Sequence, residues 1–436
     1  MRQGEAVAPA PASPFALPEF RLYLGARFLA TLAGMAMVVV LAWQVYDVAR
    51  GPAYNMSVGE AALQLGLVGL VQFVPLALLT PVAGLFADRF ERRTIARLAN
   101  MVDVVVALAL GALTASDAVT LPALFALAAA HGAARAFTGP AMSAIAPNIV
   151  PPVLLPKAIA QSSIAWQSAS IAGPAVGGLL YGVDAALPYW LAAVAMSASA
   201  LALTPIRRIV PPPMTGSPRP MGQIVDGLRY IGNHRFLLGA ITLDLFAVIL
   251  GGVVAVLPIY ARDILVVGPE GLGWLRSGAA IGAAVVALWF SFLPLKRDVG
   301  VKMLWAVGAY GFFTMLFGLS TSFALSLFAL IMLGAADMLS VYVRSSLVQL
   351  HTPDAMRGRV SAVSGLAISA SNELGEARGG LFAALIGPVA ATVAGGIGAI
   401  VVTLAWAWYF PELRRARNFA PPDDVPSEAK MQEKPA

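Results

Sequence analysis

The chain has 436 residues, of which 59% are hydrophobic and 12% are charged, whereas about a quarter of the residues in a soluble domain are charged. Together with a mean hydropathy of +0.78, this composition excludes an ordinary soluble protein and indicates an integral membrane protein. The net charge of +6 does not indicate a nucleic-acid partner, because the basic residues form short clusters between apolar runs, and the absence of cysteine excludes disulfides, thiol nucleophiles and thiolate metal sites.

Residues 1–20 are rich in alanine and proline, lack a signal-peptide pattern and are predicted to form a tail. A membrane span needs about 20 mostly apolar residues. Twelve segments meet this condition: 22–46, 62–84, 95–114, 121–143, 160–182, 185–204, 236–258, 272–294, 302–320, 323–345, 361–384 and 389–410. The sequence therefore predicts an all-α integral membrane protein with two six-helix halves.

The longest interruption of the apolar pattern is 205–235, which is rich in proline and basic residues. It ends in a predicted amphipathic surface helix from about residue 222 to 233. This linker separates an N-terminal half, 21–204, from a C-terminal half, 236–412, and a second tail, 413–436, completes the chain.

The distribution of lysine and arginine predicts the orientation in the membrane. The even-numbered loops and the linker hold nearly all of the basic residues, whereas the odd-numbered loops offer only Arg50 and Arg262, with Arg276 at a boundary. Both termini and the linker are therefore predicted to be cytoplasmic.

The two halves share an internal repeat. The stretch "GPAVGG" at 173–178 is matched by "GEARGG" at 375–380, which begins 202 residues later, and "HGAAR" at 131–135 meets "LGAAD" at 333–337 at the same offset. Two repeats of six spans that begin on the same side of the membrane are typical of one large class of secondary transporters.

The loop after the second span reads "GLFADRFERR" at 84–93 and resembles the cytoplasmic loop signature of the major facilitator superfamily, although Glu91 stands where glycine is usual. The matching residues are Gly84, Asp88, Arg89, Arg92 and Arg93. The fifth span resembles the helix-5 signature of proton-coupled exporters through Gly173, Pro174, Gly177 and Gly178. Further stretches at 139–151, 243–263 and 352–376 resemble the branch with the bacterial enterobactin exporter and macrolide efflux proteins.

The resemblance implies that the loop signature latches the second span to the start of the eleventh in one state of the transport cycle. The alternative is that its arginines only anchor the loop at the cytoplasmic surface. Arg357 and Arg359 lie near the start of the eleventh span, so a carboxylate latch would depend partly on the N-terminus of that helix.

We call the repeated stretch at 173–178 and 375–380 the glycine frame. Its second copy carries charges, because Glu376 and Arg378 replace Pro174 and Val176 of the first copy. A charge in the middle of the bilayer costs at least about 2.5–3.5 kcal/mol on insertion scales and usually marks function. With Glu373 one turn away, these residues are candidates for gating; the alternative is that both charges of the frame reach water near the outer surface.

The resemblance also implies that helices 1, 4, 7 and 10 line the transport cavity. Each is predicted to contribute one buried ionisable residue, about 8–14 Å from the cytoplasmic end of its span: Arg27, Arg135, Asp244 and Asp337. These four residues are predicted to pair across the two halves, either structurally or as part of transport. Asp103 and His131 are weaker candidates.

Asp244 or Asp337 is predicted to carry the coupling proton, because burial and facing arginines act on a carboxylate in opposite directions. Asp337 is the first choice, since it occupies the repeat position of Arg135.

The resemblance implies a secondary active, proton-coupled exporter of a small molecule in the bacterial inner membrane. Since the chain has no nucleotide-binding loop, the energy is expected to come from an ion gradient. A non-transporting sensor on the same scaffold is the alternative; an enzyme is disfavoured, since the chain has three scattered histidines and no cysteine. An anionic cargo such as a siderophore would suit the two arginines, and a cationic drug the two aspartates. No cofactor, metal or nucleic acid is predicted, and the protein is expected to be a monomer.

Overall fold

The computed structural model describes residues 13–209, 220–293, 295 and 297–419, and it contains no strand within these ranges. Helices cover all twelve predicted spans. They are α1 Pro18–Arg50, α2 Val58–Arg89, α3 Arg92–Ala115, α4 Leu121–Ser143, α5 Leu155–Val183, α6 Leu187–Ala202, α7 Arg235–Gly251, α8 Gly268–Phe292, α9 Val299–Leu319, α10 Phe323–Leu350, α11 Asp354–Ile386 and α12 Pro388–Tyr409. Among the described residues, eight helices are long and apolar enough to cross a membrane by length and composition.

The shorter helices include one in the predicted linker, Pro220–Asn233, which we call the linker helix, and Pro411–Arg415 after α12. The linker helix confirms the amphipathic helix predicted at about 222–233. Residues 1–12, 210–219 and 420–436 of the predicted tails and linker lie outside the described residues.

Helix α1 begins at Pro18, inside the segment that the sequence analysis predicts to be a tail. Proline is favoured in the first turn of a helix because its missing N–H would have no partner there. Phe20 and Tyr23 are fully buried in this first part of α1. The first helix therefore begins before its apolar segment, because the side chains of its first turns are also buried in the fold.

The seventh predicted span is not one continuous α-helix. Helix α7 ends at Gly251, and a 3-10 turn, Val254–Val256, leads into a π-helical turn, Tyr260–Ile264. Two consecutive glycines, Gly251 and Gly252, followed by Pro258, lower the helical preference at this point. The segment after this break packs in a different unit from α7.

The chain forms two compact units. The first comprises Met1–Pro218 and Pro258–Ser277, and the second comprises Arg219–Leu257 and Gly278–Ala436. The segment Pro258–Ser277, which follows the break after α7, thus packs with the helices of the N-terminal half.

Candidate transport site

The second unit contains a buried ion pair. Asp244 of α7 contacts Arg344 of α10 through its carboxylate Oδ2 and the guanidinium Nη1. The two residues are only 6% and 2% exposed. Because an unpaired charge is costly inside a membrane protein, each residue requires the other at this depth.

Asp337 lies two helical turns before Arg344, on the same side of α10, and its side chain is half-buried. We call Asp244, Asp337 and Arg344 the buried cluster. Fully ionised, the three residues of the buried cluster carry a net charge of −1, so one bound proton neutralises them.

In this structure Asp244 pairs with an arginine of its own unit, and its pairing with an arginine of the other half stays a prediction. Its partner is Arg344, which belongs to the same unit and reaches Asp244 because α7 and α10 pack together there. Arg344 was not among the predicted site residues. Its spacing of seven residues from Asp337, which puts both side chains on one face of a helix, is the signal that could have revealed it.

The first unit holds the two arginines of the predicted set. Arg27 of α1 donates from Nη1 to the Tyr23 hydroxyl at 2.8 Å, and that hydroxyl lies 2.9 Å from Ser162 Oγ of α5. Arg135 of α4 is partly buried. Pairing of these arginines across the halves stays a prediction.

The two weaker candidates of the first unit meet in a buried pair. Asp103 Oδ1 of α3 lies 2.8 Å from His131 Nδ1 of α4, and the residues are 2% and 1% exposed. His131 Nε2 is buried and has no hydrogen-bond partner among the described residues. The pair connects α3 to α4, although the two residues are 28 positions apart in the sequence.

A second group of charges joins α1 to the segment Pro258–Ser277 inside the first unit. Arg262 Nη1 lies 2.9 Å from Asp47 Oδ1, Arg50 Nη2 lies 3.9 Å from Asp263 Oδ1, and the Tyr46 hydroxyl donates to Asp263. We call these five residues the outer cluster, because the predicted topology puts this end of α1 outside the cell. Its two arginines are the basic residues that the sequence places in the odd-numbered loops. Each has an acidic partner, which accounts for its position there.

The helix-5 signature is a packing surface. A methyl group added to Gly173 would lie 2.7 Å from the carbonyl oxygen of Leu32 in α1, and one added to Gly178 would collide with the carbonyl oxygen of Pro269. Gly177 packs against Ala36 of α1 in the same way. These glycines let α5 approach both α1 and the beginning of α8, and Pro174 lies in the same buried stretch.

The loop signature is partly described. Arg89 is exposed, Arg92 donates weakly to the carbonyl oxygen of Ala144 at 3.5 Å, and Arg93 donates to that of Thr204 at 2.9 Å. Glu91, the departure from the signature, lies 2.9 Å from Arg93 Nη2. The side chains of Gly84 and Asp88 lie outside the described residues, so the latch stays a prediction.

The charged copy of the glycine frame packs within the second unit. The Arg378 guanidinium lies 5.3 Å from the centre of the Phe382 ring, and a methyl group on Gly395 of α12 would lie 3.0 Å from its Nη2. Glu373 and Glu376 are partly buried on the same helix. Their role in gating stays a prediction.

Long apolar helices that enclose paired charges are the arrangement of a multi-pass membrane transporter. The chain belongs to the transmembrane secretion effector family, whose sequence model matches residues 9–433.

Curated relatives include the enterobactin exporters EntS of Shigella boydii serotype 18 and Escherichia coli O81, each 27% identical over 93% of this chain and 94% of the relative. The fold is similar to that of a bacterial homologue of the human lysosomal transporter Spinster, with a TM-score of 0.68, 15% identity and coverage of 91% of this chain and 97% of that chain. It is also similar to the POT family transporter PepTSo, with a TM-score of 0.69, 11% identity and coverage of 93% and 99%.

These comparisons confirm the predicted major facilitator fold and the predicted class, a small-molecule exporter rather than an enzyme.

Proposed function

We propose that this protein exports a siderophore or a related small molecule from the bacterial cytoplasm by alternating access, driven by protons that enter in exchange. The observation that carries the proposal is the buried cluster of α7 and α10. It contains two carboxylates and one arginine in the interior of a transporter, which is the composition of a site that is neutral only after it binds a proton.

The division of roles within the buried cluster follows from its contacts. Arg344 contacts Asp244 directly, so this carboxylate has a fixed cationic partner. Asp337 is the second carboxylate, and its charge gives the buried cluster a net charge of −1 when all three residues are ionised. We therefore assign proton binding to Asp337 and the positioning of charge to Asp244 and Arg344.

The cargo assignment rests on two independent supports. The curated relatives are named as enterobactin exporters, and Arg27, held by Tyr23 on the first helix, supplies a cation that suits an anionic cargo. A macrolide or another drug-like compound is the competing cargo. Localisation in the inner membrane, with both termini in the cytoplasm, completes the proposal and rests on the basic-loop bias of the sequence.

The test is transport by the purified protein in phosphatidylethanolamine–phosphatidylglycerol vesicles with a panel of labelled siderophores and macrolides. We expect a pH gradient to drive accumulation of a siderophore and a protonophore to abolish it. Movement of macrolides alone would overturn the cargo assignment, and accumulation insensitive to the protonophore would overturn proton coupling. Absence of transport of any compound, in vesicles that contain folded protein, would support the non-transporting alternative.

A further inference from the structure

An apolar groove lies on the surface of the second unit between α9 and α12. Its volume is about 590 Å³, and Leu304, Phe312, Ile400 and Leu404 are among the side chains that line it. Arg414, in the short helix after α12, is the charged residue of the lining. The groove is separate from the buried cluster and has no part in the function proposed above.

Two glycines of α9, Gly308 and Gly311, differ in how closely they approach α12. A methyl group on Gly311 would lie 2.7 Å from the carbonyl oxygen of Gly396, so α9 and α12 are in close backbone contact at that level. One turn nearer the beginning of α9, the nearest atom to a methyl group on Gly308 would be Thr403 Cγ2, at 4.0 Å. A side chain at Gly308 would therefore meet more space than one at Gly311, and Gly308 is among the residues that line the groove.

The rim of the groove is exposed and apolar along its length. Trp305 is 76% exposed and Leu404 is 66% exposed, although both belong to helices of membrane-spanning length and composition. Side chains of this kind in a membrane span face hydrocarbon. The groove is thus open towards acyl chains.

Basic residues lie at one end of the groove. Arg414 is exposed, and the exposed Arg415 and Arg417 follow it in the chain. The predicted topology puts this end at the cytoplasmic surface, where anionic phospholipid headgroups attract basic residues. The groove residues of α9 run from Val301 to Phe312, about 16 Å along the helix, close to the roughly 15 Å hydrocarbon thickness of one leaflet.

We propose that this groove binds an anionic phospholipid of the inner leaflet, with one acyl chain between α9 and α12 and the headgroup phosphate on Arg414. The apolar lining matches the chain, the single lining arginine matches the phosphate, and the length matches one leaflet.

The test is native mass spectrometry of the purified protein in detergent, titrated with phosphatidylglycerol or phosphatidylcholine. Wild type should retain one tightly bound phosphatidylglycerol and bind phosphatidylcholine more weakly. Gly308→Phe fills part of the groove and should abolish this tight binding. Arg414→Gln should weaken phosphatidylglycerol binding by about five-fold, the equivalent of ~1 kcal/mol for one basic residue at an anionic surface, and leave phosphatidylcholine binding unchanged.

Matched controls are Gly232→Phe on the linker helix, where a side chain also meets open space, and Arg415→Gln, which does not line the groove. Both should bind phosphatidylglycerol as wild type does. Equal binding by wild type and Gly308→Phe would overturn the proposal, as would a wild-type dimer that Gly308→Phe converts to a monomer, since a second copy would then occupy the groove. If Gly308→Phe fails to fold, Gly308→Leu and Arg414→Gln decide in its place.

Discussion

The outer cluster and the buried cluster use the same chemical groups in opposite environments. The outer cluster has two ion pairs whose side chains are a quarter to nearly half exposed, whereas the Asp244–Arg344 pair is almost fully buried. Exposed pairs contribute about 0–1 kcal/mol each because water and salt screen them. Breaking one partner of a buried pair costs about 3–5 kcal/mol because the remaining charge stays desolvated.

This difference suits two different tasks. A pair that water already reaches can open and close at little cost, as a contact made in only one state of a transport cycle must do. The Asp244–Arg344 pair cannot be separated so easily, because water does not screen the two buried charges. The two clusters should therefore respond very differently when one partner of a pair is removed.

The largest expected effect comes from Arg344→Gln. It leaves Asp244 without its cationic partner, so the free energy of unfolding should fall by about 3–5 kcal/mol. Thermal unfolding of the purified protein in detergent measures this loss, with exposed Arg415→Gln as the control. Adding Asp244→Asn to Arg344→Gln should restore part of the stability. Equal destabilisation by the single and the double variant would mean that the pair is not the reason.

A smaller loss is expected at the other buried pair. His131→Leu removes the hydrogen-bond partner of Asp103, which should lower the free energy of unfolding by about 1–3 kcal/mol. The loss should be smaller than for Arg344→Gln because the substitution removes a hydrogen bond rather than the cation of a buried ion pair. His131→Gln, which can retain a hydrogen bond, is the matched control. Unfolding of His131→Leu at the wild-type temperature would show that the pair contributes nothing.

Gly178→Ala tests whether close packing, in addition to ion pairs, keeps the segment Pro258–Ser277 in the first unit. The added methyl group collides with the carbonyl oxygen of Pro269, and such overpacking typically costs about 1–3 kcal/mol. Gly25→Ala on α1, where nothing lies within 4 Å, should be neutral or slightly stabilising. Thermal unfolding compares the two variants, and an equal effect of both would argue against the close approach.

The smallest effect is expected in the outer cluster. Arg262→Gln should lower stability by about 0.2–1 kcal/mol in low salt, and the loss should vanish in high salt. The exchange Asp47→Arg with Arg262→Asp should restore part of the loss, because the attraction is reversed but retained. A loss as large as that of Arg344→Gln, or one independent of salt, would erase the distinction between the two clusters.

The fold could be predicted from the sequence because hydrophobic length and basic-loop bias are strong, local signals. Helices lie in all twelve segments, although the seventh is interrupted after Gly251. The break after α7 was not predicted, since Gly251, Gly252 and Pro258 stand inside an otherwise apolar segment that satisfies the length rule.

The candidate site was predicted less completely. Asp244 and Asp337 could be selected because a carboxylate in an apolar segment is unusual. Arg344 could not be paired with Asp244 from the sequence, because that contact depends on how α7 and α10 pack. Arg50 and Arg262 looked like isolated exceptions to the charge bias, since their partners Asp263 and Asp47 lie far away in the chain.

Asp337 is proposed to bind the coupling proton, and two transport modes of Asp337→Asn in vesicles test this assignment. The variant should lose accumulation of labelled siderophore driven by a pH gradient, yet retain exchange of siderophore across the membrane without a gradient. Asp117→Asn, in the exposed loop before α4, should keep both modes. Gradient-driven accumulation by Asp337→Asn with the pH dependence of wild type would contradict the claim and turn the search to Glu373 and Glu376.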